Sequence, residues 1–302
     1  MTDRRAPTRT EWPTVGIAAG CWAGWVAMLV WHDSLPWPIV VIGFGLLGAW
    51  YMSLQHEVLH GHPTPNPTLN EAMAWLPLSF WLPYRVYRES HLLHHAAELT
   101  EPGVDPESFY VLPDEWERAG TFRRWLLTAN RTLVGRLVIW PLIGPASLVI
   151  SELRAARTDR SLQRMWALHL VAVGVVGWIV FGVAGVPVWQ YLIGYCWLGM
   201  SITYLRSFAE HLAVPTGTRS AVVRSNRFFG LLFLNNNLHH AHHARPAAPW
   251  FALPSLSDEI DAEAAAAEGA GVYAGYGEII RRYAFKPFST PVTPLHDARS
   301  VS

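Results

Sequence analysis

Charge is what this chain has least of. Only 15% of its 302 residues are Asp, Glu, Lys or Arg, against about 25% in an ordinary soluble domain. The 23 basic and 23 acidic residues cancel to a formal net charge of zero, so no global field favours nucleic acid, which is not expected as a partner. Cysteine is almost as scarce. Cys21 and Cys196 both lie inside apolar runs, which excludes a disulfide framework and a CxxC metal site.

Apolar residues fill the space that charge leaves. They make up 51% of the chain, with 16 tryptophans. Four stretches, at about 15–31, 37–54, 165–186 and 188–208, have roughly the 20-residue length that crosses a bilayer as a helix. Arg4, Arg5 and Arg9 precede the first, but no small-residue cleavage pattern comes before Trp31 and a second run follows at once. It reads as a retained anchor rather than a signal peptide. With the N-terminus inside, the outward loops fall near 32–36 and 186–187, and neither holds a Lys or Arg. That asymmetry is the positive-inside pattern.

The expected fold is therefore all-α and integral to the membrane: four transmembrane helices under a cytoplasmic helical cap. Residues 69–84 and 132–150 are apolar but interrupted by Pro77, Pro83, Arg136, Pro141 and Pro145, and read as helices lying in the inner interface. Residues 257–268 read as an acidic capped helix. Residues 1–284 are expected to form one domain, and the proline-rich 285–302 a loose tail.

Histidine carries the chemistry. Nine of the 14 fall into a pattern: His56 and His60 in HEVLH, His91, His94 and His95 in HLLHH, His211 alone, and His239, His242 and His243 in HHAHH. Residues three and four apart project from one helix face, so each cluster can aim two or three imidazoles at one point. Imidazole suits iron, zinc, copper and nickel. One tetrahedral zinc uses three or four ligands, so nine point to a dinuclear centre. The topology puts every clustered histidine on the cytoplasmic side.

Around these ligands, Glu57, Glu98, Asp105, Glu107 and Glu210 are candidates to accept the second imidazole N–H, as metal-bound histidines require. Asn235, or its neighbours Asn236 and Asn237, stands either to hold a metal-bound water or to cap a helix. His62 is a candidate extra ligand, although it lies off the face that His56 and His60 share. His240 is expected to point away from the third cluster. His169 falls within the third apolar stretch, where it is either functional or bonded to the interface, and His32 and His296 have no assigned role. Arg85 and Arg88 either grip an anionic headgroup or snorkel.

Taken together, these residues resemble the integral-membrane fatty acid desaturases with their hydroxylase and carotenoid-ketolase relatives. Three histidine boxes, HxxxH, HxxHH and HxxHH, match His56/His60, His91/His94/His95 and His239/His242/His243 in order. The run NNNLHHAHHARPAAPWFALP is similar to bacterial members, and the likeness extends over about 37–284. The resemblance implies a non-haem di-iron centre, O2 as co-substrate, a lipid or acyl substrate, and an inner-membrane location with the site facing the cytoplasm. It also implies that His211 is a ninth ligand and that no catalytic residue is needed beyond the ligands. An HPGG haem motif is absent, so electrons are expected from a separate ferredoxin or cytochrome b5 with its reductase.

The activity most in keeping with the resemblance is desaturation of an acyl-lipid or acyl-thioester. Hydroxylation and ketolation remain open, since all three begin with hydrogen abstraction. Two readings compete from outside. HEVLH is literally the HExxH of zinc proteases, with Glu57 as general base, but that leaves at least six clustered histidines idle. A metal carrier would place its ligands within the spans along a transport path.

Overall fold

The computed structural model describes residues 7–295, and nearly all of their regular structure is helical. The first helices are α1 (Trp12–Trp31), α2 (Trp37–Leu59), α3 (Pro67–Ala74), α4 (Tyr84–Ala96), α5 (Pro113–Arg118), α6 (Thr121–Asn130), α7 (Trp140–Ala155) and α8 (Arg160–Gly177). There follow α9 (Val188–Tyr191), α10 (Gly199–Ser207), α11 (Arg227–Leu232), α12 (His239–Ala244), α13 (Leu253–Glu259), α14 (Ala262–Ala267) and α15 (Tyr276–Tyr283). Strands β1 (Val222–Val223) and β2 (Val272–Tyr273) form one short parallel pair. The described residues fall into two compact units, 89–139 with 204–295, and 7–88 with 140–203.

The second of these units holds the apolar helices. Trp12–Ser34, Trp37–Leu59 and Arg160–Val183 are long and apolar enough to cross a membrane. The expected fourth stretch does fold as a continuous helical run, α9, a π-helical segment Leu192–Leu198 and α10. It carries Gln190, Tyr191, Tyr195, Trp197 and Thr203, and is not among the three described helices that are long and apolar enough. Its packing explains that composition. A Cβ on Gly48 of α2 would stand 2.6 Å from the Tyr195 carbonyl, and one on Gly199 would stand 3.1 Å from the Gly48 Cα. The two backbones touch, as helices do in membranes where small residues line the contact.

Residues 69–84 depart from the expected interfacial helix. Only Pro67–Ala74 is helical, capped by the Asn66 side chain on the N–H groups of Thr68 and Leu69. The next residues run without regular structure. Their main-chain carbonyls are met by side-chain donors from other helices. Trp22 Nε1 donates to the Met73 carbonyl (3.0 Å), Gln55 Nε2 to Ala74 (2.8 Å), Tyr51 Oη to Leu76 (2.9 Å) and Tyr191 Oη to Leu78 (2.9 Å). His169 Nε2 donates to the Phe80 carbonyl at 2.9 Å, so the histidine of the third apolar stretch has a structural partner. Non-helical backbone at membrane depth survives only when its polar groups are satisfied by protein. Here Tyr51, Tyr191 and His169 supply that satisfaction, while Trp22 and Gln55 meet the last carbonyls of α3.

The other unit has a core of Val222, Ala241, Leu253, Leu256, Ala262 and Ala266. Residues 257–268 do not form one helix. The chain breaks at Asp261, whose φ of +49° is left-handed, and α13 and α14 result. The proline-rich segment is docked as far as Leu295, contrary to the loose tail expected. The Phe288 N–H donates to the Arg131 carbonyl (2.7 Å), Val111 N–H donates to Pro291, and Thr293 N–H returns to Val111. Phe288 packs on Phe208 and Tyr283. Proline removes donors without preventing side-chain burial, which is why composition misled. His296, with Arg4 and Arg5, lies outside the described residues.

Candidate metal centre

Helix α4 presents His91, His94 and His95 at positions i, i+3 and i+4, and α12 does the same with His239, His242 and His243. His211 follows α10, in a segment held by an antiparallel bridge to Ser220. Within this unit the side chains sort into two groups. His94, His211, His239 and His243 form the first, their ligand atoms all within 4.8 Å of one another. His94 Nε2 lies 3.1 Å from His211 Nε2, His239 Nε2 lies 2.9 Å from His211 Nε2, and His243 Nε2 lies 3.1 Å from His239 Nε2. In the second group His95 Nε2 lies 3.1 Å from His91 Nε2 and 3.0 Å from His242 Nε2.

For four of the rings the outer nitrogen identifies the tautomer. His94 Nδ1 donates to Asp105 Oδ1 (2.7 Å) and His91 Nδ1 to Glu107 Oε1 (2.8 Å). His211 Nδ1 donates to the Arg219 carbonyl (3.1 Å) and His239 Nδ1 to Asn236 Oδ1 (3.2 Å). A neutral imidazole that donates from Nδ1 keeps a lone pair on Nε2. Lone pairs therefore converge at about 3 Å, an arrangement that repels itself unless a cation stands between. The spacing also carries geometric information. Nitrogens at about 2.1 Å from an ion are about 3.0 Å apart at right angles and about 3.4 Å apart in a tetrahedron. The observed spacings are those of nitrogens that share one ion.

Electrostatics keep four of these rings neutral. Burial and neighbouring imidazoles push the His95 pKa down to about 2, and burial with His94 takes His211 down to about 3. His239 and His243 are driven well below the usual range by burial and by the rings around them. His94 goes the other way: burial alone would lower it, but Glu107 and Asp105 hold it above its ordinary value. Burial pushes the Glu210 carboxyl up to about 7 despite Arg206, whose Nε lies 3.1 Å from Glu210 Oε1.

The other expected residues have defined surroundings. Asp105 is a hub: besides His94, its carboxylate accepts from the N–H groups of Glu107 and Thr100, both at 2.8 Å. Glu210 Oε1 lies 3.5 Å from His239 Nδ1. Glu98 pairs with Arg219 (3.1 Å), the residue whose carbonyl orients His211. Of the three asparagines, Asn236 holds a histidine, whereas Asn235 donates to the Trp250 carbonyl (3.1 Å) and Asn237 to Val223 (2.7 Å). The capping alternative fails for α12, because Leu238 stands at its N-cap with no side-chain bond. His240 turns to Thr218 and Ser220, as expected. In the other unit, His56 and His60 close α2 with ring centroids 4.9 Å apart, and Glu57 beside them is buried. His62 is in neither histidine group. Its Nδ1 donates to the Glu11 carboxylate at 2.9 Å. Sequence reasoning missed two partners, Glu11 and the Arg219 carbonyl; the latter leaves no side-chain signature.

Three membrane-length helices with a histidine centre of this kind define a membrane protein built to hold metal by imidazole. The profile of the fatty acid desaturase family matches residues 33–274, and the chain belongs to that family. A beta-carotene ketolase of Paracoccus sp. (strain N81106 / MBIC 01143) is 25% identical over 275 residues, covering 81% of this chain and 92% of the relative. The chain is therefore an integral-membrane oxidoreductase with a histidine set able to hold metal, and its family acts on lipids.

Proposed function

We propose that the chain is a di-iron, O2-dependent oxidoreductase that removes two hydrogens from adjacent carbons of a fatty acyl chain, as an acyl-lipid or acyl-thioester desaturase. The observation that carries this reading is the convergence of ring nitrogens into two groups, with His94, His211, His239 and His91 fixed from behind through Nδ1. His94, His211, His239 and His243 hold one iron. His91, His95 and His242 hold the other, with His56 and His60 of the first box added to it. Bound iron supplies the O2 activation that C–H cleavage demands. Asp105, Glu107, Asn236 and the Arg219 carbonyl orient the rings, and Glu57 is a further supporting carboxylate. Ferredoxin or cytochrome b5 with a reductase delivers electrons.

The same contacts support four crossings. His94 and His211 are 3.1 Å apart, so an even number of crossings separates them. Helix α8 is one, and the run from α9 through α10 is the other that the sequence provides. The distribution of basic residues supports a site on the cytoplasmic side of a bacterial inner membrane.

A second reading, ketolation, is favoured by the ketolase relative aligned over 92% of its length. Lipid mass spectrometry of cells expressing the protein, beside a His94→Ala control, separates the two. Loss of two hydrogens from an acyl chain supports desaturation. Gain of one oxygen with loss of two hydrogens supports ketolation, and gain of oxygen alone supports hydroxylation. One tightly bound zinc with no lipid change would overturn all three in favour of HEVLH as a protease site.

A further inference from the structure

A cavity of about 450 Å³ opens in the unit of residues 7–88 and 140–203, remote in sequence from every histidine box but the second. Its wall is the non-helical stretch after α3, with the start of α4, and its opposite side is one face of α8. Along that face Ser161, Arg164, Leu168 and Ala172 follow one another at helical spacing. Ser161 and Ala172 are about 16 Å apart along the axis at 1.5 Å per residue. The lining grades with it. Arg164 and Ser161 stand at the end of α8, with Arg85 of α4 and Glu71 of α3 also lining the cavity, while Leu168, Ala172 and Pro77 are apolar.

This end of α8 is a membrane–water boundary, because Arg157, Arg160 and Arg164 cluster there at the start of the apolar run Arg160–Val183. A ligand that fits must therefore be anionic at the boundary and apolar below it. Arginine from two separate helices suits phosphate, which guanidinium binds with paired donors. Glu71 would repel a plain phosphate anion, but matches a headgroup that carries an ammonium as well.

We propose that this cavity is a phospholipid site selective for a phosphoethanolamine headgroup. Arg85 and Arg164 take the phosphate, Glu71 takes the ammonium, and the acyl chain descends along Leu168 and Ala172. The lipid is a resident partner rather than the oxidised substrate, so the site stands independently of the proposed reaction.

The test is retention of lipid by purified protein. Wild type is washed in mild detergent until bulk lipid is gone, and the remainder identified by mass spectrometry. Phosphatidylethanolamine should persist over phosphatidylglycerol. The Arg85→Ala/Arg164→Ala double variant should lose it by about tenfold or more, while eluting as a monodisperse species that shows the fold intact. Glu71→Gln should retain phosphatidylglycerol as readily as phosphatidylethanolamine. Thermal unfolding adds an arm that separates lipid from free phosphate: short-chain phosphatidylethanolamine should stabilise, and inorganic phosphate should not. Equal loss of lipid from wild type and double variant would overturn the proposal. So would indifference to headgroup in the wild type, or equal stabilisation by inorganic phosphate.

Discussion

Four imidazoles of the centre, His91, His94, His211 and His239, are held from behind by carboxylate, main-chain carbonyl or amide oxygen, and the kinds differ in what they contribute. Asp105 is almost fully buried and satisfied by two main-chain N–H groups besides His94. Removing such an orienting partner costs about 10–100-fold in metal affinity. Asp105→Ala should therefore weaken iron binding by that order in chelator competition, and unchanged affinity would show that Asp105 does not orient His94. His211→Ala should lower bound iron and abolish turnover while the protein stays in the membrane; full iron with normal turnover would remove it from the ligand set. His62 gives the contrast. Its Glu11 bond is buried, so His62→Ala leaves a carboxylate without its partner, at a cost of about 1–3 kcal/mol. Iron content should stay at the wild-type level while thermal stability falls, and lost iron would make His62 a ligand after all.

At the scale of elements, two features of the membrane unit have consequences that composition conceals. The first is the contact of α2 with the segment Leu192–Leu198, made possible by Gly48. Gly48→Val would push a side chain into the Tyr195 carbonyl, and overpacking of this kind costs about 1–3 kcal/mol or more. A lower yield of folded protein and a lower unfolding temperature are expected. The second is the carbonyl row of residues 73–80. Tyr51→Phe removes one of the two donors to the half-buried Leu76 carbonyl, leaving the Leu78 N–H at 2.9 Å, a loss of about 0.5–1.5 kcal/mol. Its unfolding temperature should fall while iron content is kept, and a variant as stable as wild type would mean another donor replaces the hydroxyl.

For the whole molecule the open quantity is the number of crossings. Reporters fused after His62 and after Leu295 should both behave as cytoplasmic if the four proposed crossings return the chain to the side on which it began. Opposite signals at the two points would mean three crossings. That result would part His94 from His211, which lie 3.1 Å apart, and would overturn the proposed topology.

The histidine boxes were legible in the sequence because a ligand set needs only residue type and helical spacing, and both are written locally. His91, His94 and His95 on α4, and His239, His242 and His243 on α12, needed nothing more than the 3.6-residue period. The three apolar helices were legible for the same reason, since hydropathy sums over neighbours in the chain. What tertiary structure alone decided was the partner of each polar group. Asn236, and not Asn235, meets His239, because a left-handed turn at Leu234 and Asn235 sets which amide faces the helix. A main-chain carbonyl orients His211, and carbonyls carry no sequence signal. Residues 75–83 abandon the helix their apolar content suggested because five donors from distant helices satisfy the backbone there and just before it. Hydrogen bonds between residues far apart in the chain answer to position in space, and no local pattern encodes that.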